Sequence, residues 1–361
     1  MSSSRPRRSR LAGLLGAFAL LFAPPAAAWN GAGHMQIALL AYDELPEATR
    51  AALSGLVEAH PRFREDLLPA LPPGITAPAE RARWLFAYAA TWPDIARDQP
   101  EHGHGTWHYV NLPLELRGSE LSTCREARRE LPASERRVAT IDAERRARGE
   151  PGIPAGDSIR AALPNNLRAL ADPMASRPAR ALALSWVLHL VGDAHQPLHA
   201  VALFTRQRFV SGDRGGNDIS VRDLGSLHRV WDGLLGDDAS PPALEAALAD
   251  LRRDRPRWRA AREAAIDSNV ERWLDEDCEL ARRAVYVPAV LSAVRRFESG
   301  ERTPPAPPSG GNAGPSTPPD KPGKPEVSLG KAYHRHAAEK ARERVLQAGL
   351  RLASLLRALR L

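Results

Sequence analysis

The chain has 361 residues, with 50 Lys and Arg against 43 Asp and Glu, a formal charge of +7. Hydrophobic residues make up 43% and charged residues 26%, a balance that excludes wholesale disorder, a collagen-like repeat and a coiled-coil rod. Two cysteines, Cys124 and Cys278, are too few for a disulfide scaffold or a cysteine-rich zinc module, so any metal site must be built from His, Asp and Glu.

The chain opens with Arg5, Arg7, Arg8 and Arg10, an apolar run from Leu11 to Phe22, and then Pro24-Pro25-Ala26-Ala27-Ala28. A basic start, a short apolar stretch and small residues at the end are the pattern of a signal peptide over residues 1–28. The apolar run is too short to span a bilayer, and Arg7-Arg8 is a weak twin-arginine mark. Removing the four arginines leaves 46 bases and 43 acids, a charge of +3. Cleavage after Ala28 makes Trp29 the first residue of a soluble, periplasmic or secreted protein. No later segment reads as transmembrane. Such a compartment would permit a Cys124–Cys278 disulfide.

The remainder is predicted to be all-α: a single mostly helical domain over 29–302 with one short β-hairpin. Apolar residues recur at helical spacing in Met35–Leu45, Ala79–Ala90, Ala179–Leu198, Ala243–Leu251, Ala260–Trp273 and Lys331–Leu361. The hairpin is expected to run from Gln207–Val210 through the turn Gly212–Gly216 to Asp218–Val221. Residues 125–150, rich in Arg and Glu, read as a solvated helix or a loop. Residues 303–325 hold nine Pro and four Gly, which suits an exposed linker or long loop rather than a packed core. Over 326–361 a final helix is expected to dock on the same domain through Val345, Leu346, Leu350, Leu352, Leu355, Leu356 and Leu359, with its arginines between them. The competing reading makes it a basic amphipathic helix on a membrane or partner.

The chemistry concentrates in Trp186-Val187-Leu188-His189-Leu190-Val191-Gly192-Asp193-Ala194-His195-Gln196-Pro197-Leu198-His199. His189 and Asp193 are four apart, so they share one helix face, roughly 40° apart. His195 falls about 120° round from His189 and should point elsewhere. Pro197 ends or kinks the helix, which lets His199 turn back toward the same pocket. A lone His in an apolar helix is usually a satisfied core residue. Three His and one Asp within eleven residues make that reading costly, because each buried group needs its own partner.

His228 and Asp232 repeat the four-residue spacing. Imidazole plus carboxylate without thiolate suits catalytic zinc with open positions. Two further segments add candidates. Asp94 in Trp92-Pro93-Asp94 reads on its own as a helix cap, with Arg97 one turn on. His108 in Trp107-His108-Tyr109-Val110-Asn111 reads on its own as part of a buried strand or turn. Near the expected new amino end lies Trp29-Asn30-Gly31-Ala32-Gly33-His34. A free α-amine with a backbone carbonyl can chelate zinc once deprotonated, and its ordinary pKa of about 7.7–8.0 makes that feasible near neutrality.

In this order the segments resemble the zinc-dependent S1/P1 nuclease family: Trp29 with Gly33-His34, Trp92-Pro93-Asp94, His108-Tyr109-Val110-Asn111, His189 to His199, Gly215-Gly216-Asn217, and Leu227-His228 with Trp231-Asp232. The resemblance spans Trp29 to Asp232, more loosely to the C-terminus. It implies a helical fold with three zinc ions. One would be held by Asp94, His108, His189 and Asp193; a second by His199, His228 and Asp232; a third by the Trp29 amine and carbonyl, His34 and a bridging Asp193. Asp94, Arg97 and Asp193 would be catalytic, and Tyr109, Asn111 and Asn217 would contact substrate. Position 111 is Asn where fungal members carry Asp, so base-edge recognition would differ. Cys124–Cys278 would correspond to a family disulfide.

The implied reaction is phosphodiester hydrolysis in single-stranded DNA and RNA to 5′-phosphate products, with 3′-nucleotidase activity on mononucleotides. The implied enzyme is a monomer without a stable protein partner. The nearest rival is a zinc-dependent phospholipase C, a family that usually closes its ligand set with His and Glu where this chain has His228 and Asp232. A non-catalytic metal-binding protein is the reading from a different class.

Overall fold

The computed structural model describes residues 29–150, 153, 156–301 and 323–359. The signal peptide expected over 1–28 and most of the Pro/Gly-rich stretch lie outside these. The first half runs α1 (Gly31–Asp43), α2 (Glu47–Glu58), α3 (Pro78–Ala89), α4 (Trp92–Ile95), β1 (Leu112–Arg117), β2 (Glu120–Leu121), α5 (Cys124–Ala147), α6 (Ile159–Ala171) and α7 (Arg177–Asp193). Then come α8 (Pro197–Ala200), β3 (Val201–Phe204), β4 (Ser220–Val221), β5 (Gly225–Ser226), α9 (Leu227–Asp232), α10 (Pro241–Arg253), α11 (Arg255–Ala264), α12 (Val270–Leu280), α13 (Pro288–Glu298), β6 (Glu326–Val327) and α14 (Lys331–Ala358).

The fold is mostly helical, as expected, with two small sheets. In the first, β1 pairs antiparallel with β2 and parallel with β3, Leu112 opposite Val201. In the second, β4 pairs antiparallel with β5 and parallel with β6. The hairpin is therefore not where the sequence pattern put it. Gln207–Val210 form a turn, because Glu298 accepts from the backbone N–H groups of Gln207 and Arg208, and Thr205 and Phe209 bond to each other. With those groups satisfied locally, no ladder forms. The short hairpin is β4–β5 instead.

A second correction concerns Ala260–Trp273, read as one helix. It breaks between α11 and α12. Asn269 caps α12 by accepting from Glu271 N–H, and the Trp273 indole donates to Asp267 O. The Asp267-Ser268-Asn269 run is a start signal that outweighs the apolar spacing. The Arg/Glu-rich stretch is the solvated helix α5, started by a Thr123–Glu126 capping box. Cys124 and Cys278 form a disulfide that joins the start of α5 to α12.

Two helices are apolar nearly all round and sit at the centre. In α1 every residue from Ala32 to Tyr42 is buried, and in α7 every residue from Ala183 to Asp193, which is the signature of a core helix. α14 packs on α1, α7 and α11. Its arginines do not all lie on the solvent side: Arg344 and Arg351 are buried with the leucines. No helix among the described residues is long and apolar enough to cross a membrane.

The α1–α14 contact is close because position 349 is glycine. A Cβ there would lie 2.7 Å from Leu40 Cβ and 3.3 Å from Ile37 O. Overpacking of this kind costs about 1–3 kcal/mol. Gly349→Val should lower stability by about that amount in denaturant titration; an unchanged midpoint and slope would show that α14 does not dock so tightly.

Candidate metal centre

The centre is assembled where the ends of short elements meet α1 and α7. His189 and Asp193 occupy the last turn of α7, so one helix aims both inward. The first turn of α1, capped by Asn30, brings the His34 ring onto His189 at 3.9 Å between centroids and 15° between planes. His34 Nε2 lies 3.3 Å from Asp193 Oδ1. The turn 105–108 presents His108, whose Nδ1 lies 3.0 Å from both Asp193 Oδ2 and His189 Nε2. Asp94, on α4, reaches within 3.8 Å of His189 Nε2. Pro197 starts α8, and His199 turns back as expected, its Nε2 3.2 Å from His228 Nε2. Asp232 Oδ2 lies 3.5 Å from His228 Nε2. His195 points away, toward Val191 O and Arg351.

Backbone carbonyls set the histidine tautomers. The Nδ1 atoms of His189, His199 and His228 lie 2.8, 2.6 and 2.6 Å from the carbonyls of Ala90, His108 and Gly215. Each Nδ1–H is donated outward, which leaves the Nε2 atoms of neutral His199 and His228 with bare lone pairs facing inward. His199 and His228 thus oppose two lone pairs across 3.2 Å. Burial and the neighbouring His199 push His228 down to about 3, and burial also lowers His199, so a proton is a poor occupant of that gap. Both ring nitrogens of His34, His108 Nε2, Asp193 Oδ1 and Asp232 Oδ2 are buried and have no hydrogen-bond partner. Each such atom costs about 1–3 kcal/mol when left unsatisfied.

The remaining charges fit the same need. Burial opposes the charge on His189, but Asp193 and Asp94 outweigh it and push that histidine up to about 9. Burial likewise opposes the Asp193 carboxylate, yet His189, His199 and His108 hold it well below the usual carboxylate range. Asp232 is driven well above that range by burial, with Asp94 and Asp193 adding to it. Three sets of ligand atoms converge closely enough to hold a metal: His34, His189 and Asp193; Asp94, His108 and His189; and His199, His228 and Asp232. All donors are nitrogen or oxygen, a set that zinc accepts.

Other residues singled out from sequence lie around this cluster. The Trp29 side chain is fully buried, its indole donating to Gly192 O, one residue from Asp193. Arg97 Nη2 donates to Asp94 Oδ1 at 2.6 Å. Burial raises the Tyr109 phenol, while the Arg214 and Arg97 charges pull it down, which puts both guanidiniums in its surroundings. Asn111 is half-buried two residues on. The Asn217 amide is engaged within its own loop, donating to Arg214 O and accepting from Ser226.

Three supporting features had no sequence argument. Gln196 donates to Asp232 Oδ1 at 2.6 Å and so turns Oδ2 toward His228. Gly215, at φ 59°, offers its carbonyl to His228; a Cβ there would lie 2.3 Å from Leu198 O. Asp213 accepts from Leu203 N–H and from the Tyr286 hydroxyl, anchoring the loop that carries Gly215. The Gly-Gly pair after Asp213 and the Gln before Pro197 were the only available hints.

The profile of the S1/P1 nuclease family matches residues 29–360. The chain belongs to that family, whose members are zinc-dependent nucleases. It is 32% identical over 123 residues to endonuclease 4 of Arabidopsis thaliana, covering 31% of this chain and 34% of the relative. It is 34% identical over 93 residues to endonuclease 5 of the same plant, covering 22% and 29%. The chain thus spans about a third of the length of the curated relatives it matches.

The charge balance makes a prediction about zinc uptake. His34, pushed down to about 4 by burial and by His189, and His228 at about 3 are already neutral at pH 7. His189, at about 9, still holds its proton, which a metal must displace, and burial favours the protonated form of Asp232 as well. Calorimetric zinc titration of metal-stripped protein, in buffers of differing ionisation enthalpy, should show net release of at least about one proton at pH 7, that of His189. Affinity should rise with pH. No release, or proton uptake, would contradict the arrangement.

Proposed function

We propose that the chain starting at Trp29 is a zinc-dependent phosphodiesterase that cuts single-stranded DNA and RNA to 5′-phosphate products and removes 3′-phosphates from mononucleotides. The observation that carries this reading is the buried cluster of inward-facing imidazole nitrogens and carboxylates without partners, which bound cations would satisfy together. We assign three zinc ions. The first would be held by Asp94, His108, His189 and Asp193, the second by His199, His228 and Asp232, and the third by His34, Asp193 and the Trp29 amine and carbonyl.

Zinc bound there supplies positive charge for the phosphate oxygens and the acidity that makes water a nucleophile near neutral pH. The protein's own groups do the rest. Asp193 has one oxygen 3.3 Å from His34 and the other about equally near His108 and His189, which suits a carboxylate shared between ions. Arg97, tied to Asp94, adds charge as negative charge develops on the phosphate. Tyr109 offers a ring against which a base can stack, worth about 1–3 kcal/mol and indifferent to sequence. A base swung out to stack must be free of its duplex, which is the physical reason for single-strand preference. Asn111 and Asn217 are assigned to substrate contact beside it. The modest charge of +3 without the leader suits a turnover enzyme rather than a tight nucleic-acid binder. We assign the enzyme to the periplasm or the exterior, as a monomer with residues 1–28 removed; the disulfide suits an oxidising compartment.

Two experiments test this. Purified protein should hydrolyse single-stranded DNA and RNA, duplex DNA much more slowly and phosphatidylcholine not at all. Chelation should abolish activity, and Asp193→Ala should reduce kcat/KM by about 10³-fold, the equivalent of several kcal/mol of charge stabilisation. Phosphatidylcholine turnover with inert nucleic acid would instead support the phospholipase. Second, a chain with extra residues before Trp29 has an amide where the amine should be. It should bind less zinc and lose activity; full zinc and full rate would remove Trp29 from the ligand set.

A further inference from the structure

A second buried ionic cluster lies behind the candidate centre and joins α14 and α12 to the end of α7. Arg351, on α14, is 1% exposed. Its Nη1 donates to His195 Nε2 at 2.9 Å and to Glu276 Oε2 at 2.7 Å. Its Nη2 donates to Glu276 Oε1 at 2.7 Å, and its Nε to Ala264 O at 3.2 Å. The guanidinium also sits over the Trp273 ring, 5.2 Å from its centroid. Seven residues earlier, Arg344 donates to the same Glu276 and to Trp273 O.

The other end of this cluster is the turn that closes α7. His195 Nδ1 lies 2.7 Å from Val191 O, so that nitrogen donates and the Nε2 lone pair receives Arg351. The turn is closed by His195 N–H to Gly192 O and Gln196 N–H to Asp193 O, each 3.0 Å. Two residues before His195 is Asp193. One residue after it is Gln196, whose amide nitrogen holds Asp232 and whose oxygen accepts from Leu198 N–H at the start of α8. A buried guanidinium is expensive, and an apolar residue of similar volume often serves packing as well or better. An arginine here therefore points to a task of orientation.

We propose that Arg351 is a positioning residue for the metal centre. Through His195 it holds the α7–α8 turn, and thereby the aim of Asp193 and, through Gln196, of Asp232. The inference rests on the zinc reading above and extends it: the last helix, which lies beyond the Pro/Gly-rich stretch, supports the centre from behind through His195.

The test uses the full chain from Trp29, stripped of metal. Zinc affinity is read by competition with a chromophoric chelator, and the unfolding midpoint of the zinc-free protein is read separately. Arg351→Met should weaken zinc binding by about 10–100-fold, the usual range for outer partners of metal ligands. Arg351→Lys should recover part of the loss. His195→Phe should reproduce Arg351→Met, and the double variant should bind no more weakly than either single one. A lowered midpoint with zinc affinity within twofold of the parent would overturn the proposal, as would two losses that simply multiply. If Arg351→Met does not fold, Glu276→Gln takes its place, since it loosens the clamp and leaves the arginine. A threefold or larger loss of affinity then supports the proposal, and an unchanged affinity overturns it. His228→Ala separates the two levels: if it binds zinc as the parent does, or if the parent binds none, the metal-centre reading itself fails and the role of Arg351 falls with it.

Discussion

Two imidazole lone pairs facing each other inside a protein are the constraint around which this molecule is organised. His199 and His228 each give their outer N–H to a backbone carbonyl, and their inner nitrogens then meet at 3.2 Å. Alone, that contact is repulsive. Beside them the ring nitrogens of His34, Asp193 Oδ1 and Asp232 Oδ2 are buried without a hydrogen-bond partner. In a low-dielectric interior such groups are costly when left uncompensated, and a cation among them would remove that cost. The zinc chemistry of the family and the geometry of this chain therefore meet in one requirement.

The fold meets it with rigid supports. α1 and α7 are buried on nearly every side, so His34, His189 and Asp193 have little room to move. The more distant candidate ligands come from short elements at chain reversals, α4, the turn 105–108, α8 and α9. Those reversals are held by their own bonds: Gln196 to Asp232, Gly215 O to His228, Asp213 to Leu203 and Tyr286. Pre-organisation of this kind keeps ligands in place before a metal or a phosphate arrives.

Much of this was legible in the residues. The spacing of His189 and Asp193, and of His228 and Asp232, needs only the pitch of a helix, and the break at Pro197 accounts for the return of His199. The two central helices announced themselves by apolar periodicity. Sequence alone failed where tertiary bonds decide. Gln207–Val210 has strand-like residues, but Glu298, about ninety positions on, takes its N–H groups. Asp267-Ser268-Asn269 breaks what reads as one helix. Arg344 and Arg351 look like surface residues of an amphipathic helix, and their burial is explained by partners far off in sequence, Glu276 for both and Asp277 for Arg344, brought in by α12. Gln196 gave only a hint, because a neutral amide beside a proline is common in loops and nothing in the chain ties it to Asp232, thirty-six positions on.

The account can be tested most directly by diffraction from crystals of the chain beginning at Trp29, recorded on both sides of the zinc absorption edge. It predicts anomalous peaks between the Nε2 atoms of His199 and His228 and on either side of the Asp193 carboxylate. Crystals with no zinc signal there, and with the two rings still in contact, would contradict it.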